Sequence, residues 1–271
     1  MLKIALAQVF CPWNDRETSL ALIDSRTRQA ADQGASLVLF PELTVGGILK
    51  SQAVAEVAEP ADGQSVNVVS RLARELEIAI GFGFSECGGV RPFNSYCLID
   101  SSGGLAGLYR KNSIPKLEIP FWEPGCEKPV FELCGRRMAV AICWDATRRD
   151  LLASYAAADA EIILAPHAWD SDPVGAEGNE LSYDSMDELA ELGSQGIIAG
   201  WKSYGQMRNF FLSYISEHAR DLGLSVCFVN QTGSPHKVLK FTGPSFVVDH
   251  TGGLIAESTG EAEQLVFAEI K

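Results

Sequence analysis

Ser36-Leu37-Val38-Leu39-Phe40-Pro41-Glu42 is a short apolar run closed by a proline and a carboxylate. It is too brief for a buried helix and is stopped by Pro41, so it reads as a buried strand. Upstream, Asn14 or Asp15 is placed to cap a helix over 16–33 that stops at Gly34. Residues 2–9 form an earlier apolar run. Strand, helix and strand in this order make a βαβ unit, the building block of an α/β fold.

Working outward, the same signals continue. Residues 64–77 carry Val66, Val69, Leu72, Ala73 and Leu76 on one helical face, and 78–84 reads as a strand. Segments 93–100 and 105–109 flank Ser101-Ser102-Gly103-Gly104, and segments 130–133 and 137–142 flank Cys134-Gly135; both are hairpin signals. A helix is expected over 145–158 with Asp145 as its N-cap, then a strand over 161–165 ending at Pro166. A helix over 208–222 and strands at 225–230, 237–241, 245–249, 254–256 and 264–270 complete the chain. No repeat, linker or low-complexity tract divides it, so 1–271 is expected to be one α/β domain.

Thirty-five acidic against twenty-two basic residues give a formal net charge of −13, which repels phosphate backbones and argues against nucleic acid as a partner. The charge is uneven. Segment 168–201 holds eight acidic residues and no lysine or arginine, and is expected to be a surface insertion with a short helix around 185–192. No uncharged apolar run approaches the ~18 residues a membrane helix needs, and 1–10 reads as a strand rather than a signal peptide. Seven cysteines without a C-x-x-C pair, and four scattered histidines, suggest neither a disulfide framework nor a zinc site; a reducing cytoplasm is the expected compartment.

In α/β sheets ligands bind at the carboxyl ends of strands. Those ends here carry Glu42, then Arg110-Lys111, then Cys143-Trp144-Asp145, then Pro166-His167. A thiol, a carboxylate and an amine at three strand ends make a candidate nucleophilic site: Cys143 as nucleophile, Glu42 as its base, Lys111 as a fixed positive charge. Taken singly, each has a plainer reading, as an inert core thiol, a solvated lysine or a capping carboxylate.

Together they resemble a known family. Phe40-Pro41-Glu42-Leu43, Tyr109-Arg110-Lys111 and Ile142-Cys143-Trp144-Asp145 are similar to the three signatures of the nitrilase, or carbon–nitrogen hydrolase, superfamily, at intervals of about 70 and about 30 residues. Ile4 to Gln8, Phe93-Asn94-Ser95, Trp122-Glu123-Pro124-Gly125, 228–233 and 241–245 extend the resemblance over nearly the whole chain. It implies a four-layer αββα sandwich, a Glu42–Lys111–Cys143 triad, a second glutamate at Glu118 rather than Glu123, and pairing of subunits through helices beside the site. It also implies cleavage of a small amide or N-carbamoyl compound through a thioester, with nitrile hydrolysis as the alternative, and with no metal or organic cofactor. Lys116 competes with Lys111 for the lysine role but lies beyond the strand end. The backbone N–H of Trp144 is the expected oxyanion donor, and Trp122, Trp144, His167 and Trp169 are expected to line an aromatic pocket. The stretch Trp144-Asp145-Ala146-Thr147-Arg148-Arg149-Asp150 departs from the family's Y-D-x-R-F-P-E, which puts the usual pocket in doubt. A cysteine–histidine hydrolase using His167 or His218, and a silent scaffold that keeps only the fold, stay open beside the amidase reading.

Overall fold

The computed structural model describes residues 1–47, 52–182, 186–236 and 239–271. Its strands, in chain order, are β1 (Leu2–Gln8), β2 (Leu37–Leu39), β3 (Ala79–Glu86), β4 (Phe93–Ile99), β5 (Leu105–Arg110), β6 (Phe131–Leu133), β7 (Arg136–Val140) and β8 (Ile162–His167). After these come β9 (Pro173–Val174), β10 (Gly200–Trp201), β11 (Ser225–Asn230), β12 (Thr232–His236), β13 (Leu239–Thr242), β14 (Phe246–Val248), β15 (Leu254–Glu257) and β16 (Gln264–Ile270). The α-helices are α1 (Arg16–Asp32), α2 (Gln64–Leu76), α3 (Arg149–Ala157), α4 (Met186–Ser194) and α5 (Tyr204–Leu222).

Two six-stranded mixed sheets dominate, in the orders β16-β1-β2-β3-β4-β5 and β6-β7-β8-β11-β14-β15. Read in these directions, both show the same pairing sequence: antiparallel, parallel, parallel, antiparallel, antiparallel. The topology therefore repeats although the sequence does not.

Alternation along the strands explains the layering. Ile4, Leu6, Leu37 and Leu39 join Val140, Leu164, Val226 and Phe228 in the core between the sheets. The intervening Ala5, Ala7, Val38 and Phe40 face the other way and pack with Ile23 and Ala30 of α1 and Val66, Val69 and Leu72 of α2. Helices α3 and α5 bury Leu152, Tyr155, Phe211 and Ile215 in the core of the second sheet. The result is the αββα sandwich.

Local signals account for most boundaries. Asp15 caps α1 by accepting from the Thr18 N–H, and Gly34 turns the chain at φ 73°. Helix α5 begins earlier than its apolar pattern suggests, because Ser203 and Gln206 form a capping box. Strand β8 does not stop at Pro166; it runs on to His167, with Pro166 opposite Val229. The helix expected over 145–158 divides into a 3-10 turn, Cys143–Thr147, and α3, whose N-cap is Arg148. Asp145 is thus not a cap, since its side chain is engaged elsewhere. Strand β12, pairing with β13, was not expected. Positions 237 and 238, which open the strand expected over 237–241, and position 185, which opens the short acidic helix, lie outside the described residues.

Candidate active site

The carboxyl ends of β2, β5, β7 and β8 converge between the two sheets. Glu42 follows β2 and is fully buried. Its backbone is held close to β3: an ideal Cβ at Gly83 would lie 2.3 Å from the Leu43 nitrogen, so that approach requires glycine. Gln231 Nε2 donates to the Glu42 carbonyl at 3.0 Å. Asn94 Nδ2 donates to Oε1 at 2.7 Å, and the Ala168 N–H donates to Oε2 at 2.8 Å.

Lys111 continues β5 and is also fully buried. Its N–H donates to the Asn94 carbonyl at 2.9 Å. Its Nζ donates to Glu42 Oε1 at 2.8 Å and to Glu118 Oε2 at 2.9 Å. Burial alone would push this ammonium toward neutrality, but Glu118 and Glu42 outweigh it and hold its pKa well above the ordinary lysine value. Reciprocally, burial raises Glu42, and the charge of Lys111 overcomes that to leave the carboxyl below its usual range.

Cys143 opens the 3-10 turn after β7, buried, with its backbone in the left-handed region at φ 50°. Side chains rarely adopt this conformation, and it recurs at functional turns. Burial first, then the Glu42 charge, push the thiol well above its ordinary pKa, while Lys111 pulls it down. Cys143 therefore rests as a thiol within the field of the Glu42 carboxylate. The opening N–H groups of such a turn lack partners within the turn itself, which leaves the Trp144 N–H suited to an oxyanion.

Of the two competing lysines, Lys116 is exposed on the loop, whereas Lys111 is at the centre. Of the two glutamates, Glu118 reaches Lys111, whereas Glu123 accepts from the Val90 and Arg91 N–H groups.

The four aromatic positions separate into two groups. Trp144 (39 % exposed) lies 5.6 Å from Trp169, ring to ring, and Trp169 contacts Phe210 and Phe211. Trp122 is instead buried with Leu43, Val54, Ala168 and Phe241. His167 is buried against Phe228 at 4.0 Å, and its Nδ1 meets the Ala165 carbonyl at 2.8 Å. Desolvation lowers its pKa to about 4, so the ring is neutral at pH 7. His167 Nε2, Trp122 Nε1, Asn94 Oδ1, Gln231 Oε1 and the Tyr214 hydroxyl are buried without a partner among the described residues.

One residue escaped the sequence reading. Asp145 is fully buried. Its Oδ2 accepts from the Tyr109 hydroxyl at 2.7 Å and the Asn112 N–H at 3.2 Å, and its Oδ1 from the Ser113 N–H at 2.7 Å. The available signal was its place two residues after Cys143. The plausibility of an acidic N-cap hid it.

Most apolar residues of the two helices that could carry a subunit face pack inside the chain instead. Leu151, Leu152, Tyr155 and Phe211 are buried, whereas Phe210 stays half exposed. Arg148 pairs with Asp150, and Arg149 with Asp221. In 168–201, Asp172 and Glu180 are both paired with Lys202.

The chain is similar to known proteins over most of its length. Residues 3–186 match the family model described as carbon-nitrogen hydrolase. The chain is 28 % identical over 278 aligned residues to a citrullinase from Francisella tularensis, covering 99 % of this chain and 89 % of that protein. It is 26 % identical to N-carbamoylputrescine amidase from Solanum lycopersicum, covering 99 % and 86 %. In structure it is similar to an amidase from Nesterenkonia sp., with a TM-score of 0.78 at 25 % identity, covering 99 % and 90 %.

Proposed function

Because the chain belongs to the carbon–nitrogen hydrolase family, we propose that it cleaves the C–N bond of a small linear amide or N-carbamoyl compound through a thioester on Cys143. The observation that carries this reading is the buried Lys111 ammonium held between Glu42 and Glu118, at the strand ends that also bring Cys143.

The chemistry follows from the charges. Glu42 takes the Cys143 proton as sulfur attacks the carbonyl carbon. Charge moves to the oxygen, where Lys111 and the Trp144 N–H stabilise it; one such donor is typically worth ~3–4 kcal/mol of barrier. Glu42 returns the proton to the departing ammonia or amine, which leaves as the C–N bond breaks. It then takes a proton from water, whose oxygen attacks the thioester carbon, and returns that proton to the departing Cys143 sulfur as the C–S bond breaks, releasing the acid and the free thiol. Glu118 fixes Lys111. Trp144 and Trp169, with His167 ring to ring against Trp169, border the substrate. The N-carbamoyl alternative within this class is supported by curated relatives that cover nearly the whole chain.

The whole of 1–271 acts as one catalytic domain in this reading, in the cytoplasm and as a homodimer or larger homo-oligomer. Seven free cysteines support the compartment. The half-exposed Phe210 supports a subunit contact. Among the described residues no helix is long and apolar enough to cross a membrane.

The deciding experiment is an ammonia-release assay over small amides, N-carbamoyl compounds and nitriles, with Cys143→Ala as control. Loss of all turnover in a folded Cys143→Ala variant is expected; persistent hydrolysis overturns the reading. Glu42→Gln separates it from a cysteine–histidine hydrolase, which would keep substantial activity in that variant.

A further inference from the structure

We propose that Asp145 is a positioning residue that ties the turn bearing Cys143 to the backbone bearing Lys111, and so sets where thiol and ammonium stand relative to each other. The inference rests on the roles given above to Cys143 and Lys111.

The two groups reach the site on different sheets. Cys143 follows β7 of the second sheet, and Lys111 follows β5 at the edge of the first. Asp145 spans the join. The partners of its carboxylate, Tyr109, Asn112 and Ser113, bracket Lys111 on both sides. Its own backbone closes the cysteine turn: the Asp145 N–H donates to the Ile142 carbonyl at 2.9 Å, and its carbonyl accepts from the Arg148 N–H at 3.0 Å. Three donors to one buried carboxylate are charge-assisted and directional, so they restrain geometry strongly. Tyr109 adds a rigid strut, since its ring is buried in the inter-sheet core. Burial pushes the Asp145 carboxyl up, and the Tyr109 hydroxyl, Lys111 and Ser113 pull it back toward the charged form.

Two variants test this. Asp145→Asn keeps the size but turns one acceptor into a donor facing other donors. Tyr109→Phe removes one strut and leaves the charge intact. Misplacement by about an ångström can cost ~100-fold in rate. The expected result is a kcat lowered ~10- to 100-fold in Asp145→Asn and severalfold in Tyr109→Phe, with KM changed little. The decisive readout is the pH dependence of Cys143 alkylation by iodoacetamide, followed at the Cys143 peptide by mass spectrometry.

If Lys111 is less well placed, the thiolate loses its cation and the profile moves to higher pH in both variants. Simple loss of the Asp145 charge would move it to lower pH in Asp145→Asn and leave Tyr109→Phe unchanged, which overturns the proposal. So does a kcat within twofold of wild type in both variants, or a lost kcat with an unmoved profile. If Asp145→Asn does not fold, Tyr109→Phe alone decides. Failure of the amidase reading is seen separately, as turnover that survives Cys143→Ala.

Discussion

Lys111 Nζ and Glu42 Oε1 lie 2.8 Å apart, and neither side chain is exposed to solvent. Removing one member of such a pair leaves the other charged and unsolvated, which typically costs about 3–5 kcal/mol. Lys111→Met should therefore lose both stability and turnover. Urea denaturation and the ammonia assay, run on the same preparation, check this. A variant as stable as wild type would mean that Glu42 and Glu118 share a proton without the lysine.

Gly83 should not tolerate a side chain. In Gly83→Ala the new carbon would meet the Leu43 nitrogen and displace the backbone that carries Glu42. A strained close approach of this kind costs roughly 1–3 kcal/mol, and kcat should fall further than stability alone explains. Thermal melting beside steady-state kinetics measures both effects.

Asn94→Leu should shift the acid limb of the kcat/KM profile to higher pH. The Asn94 amide donates to the charged form of Glu42 and helps keep that carboxyl low. Without this donor the carboxyl binds its proton more readily, so the proposed base is lost at a higher pH. A limb that stays in place would assign it to a group other than Glu42.

Stability should decline as pH falls from about 6.5 toward about 4. His167 is lowered from 6.5 to about 4 by burial, so the folded chain stays neutral there while the unfolded chain takes up a proton. In that window the unfolded state binds more protons and is favoured as pH drops, by an amount on the order of a few kcal/mol over the whole span. His167→Gln should show a shallower decline between pH 7 and pH 5 in urea melts.

Much of this architecture is legible in the chain itself. The short apolar run of 36–40 stopped by Pro41, and the cap at Asp15, place the first βαβ unit, and the strand ends then present Glu42, Lys111 and Cys143 in order. What stays hidden depends on packing across distance. Asp145 before a helical pattern looks like a cap, and only its contact with Tyr109 and Ser113 shows otherwise. Trp122 and Trp169 are equally aromatic on paper, yet one is sealed behind Leu43 and the other meets Phe210. The start of α5 lies at the Ser203 and Gln206 capping box, ahead of the apolar pattern from which the helix over 208–222 is read.

The backbone at Cys143 has one more consequence. A residue at φ 50° sits where glycine is most at ease, and Leu43, directly after Glu42, shares that conformation. At Leu43 the buried packing with Trp122 and Phe241 offsets that backbone cost, whereas Cys143 carries only a small thiol. Cys143→Gly is thus the substitution most apt to make the protein sturdier while making it inert. With Cys143 as the proposed nucleophile, durability and chemistry compete for the same position.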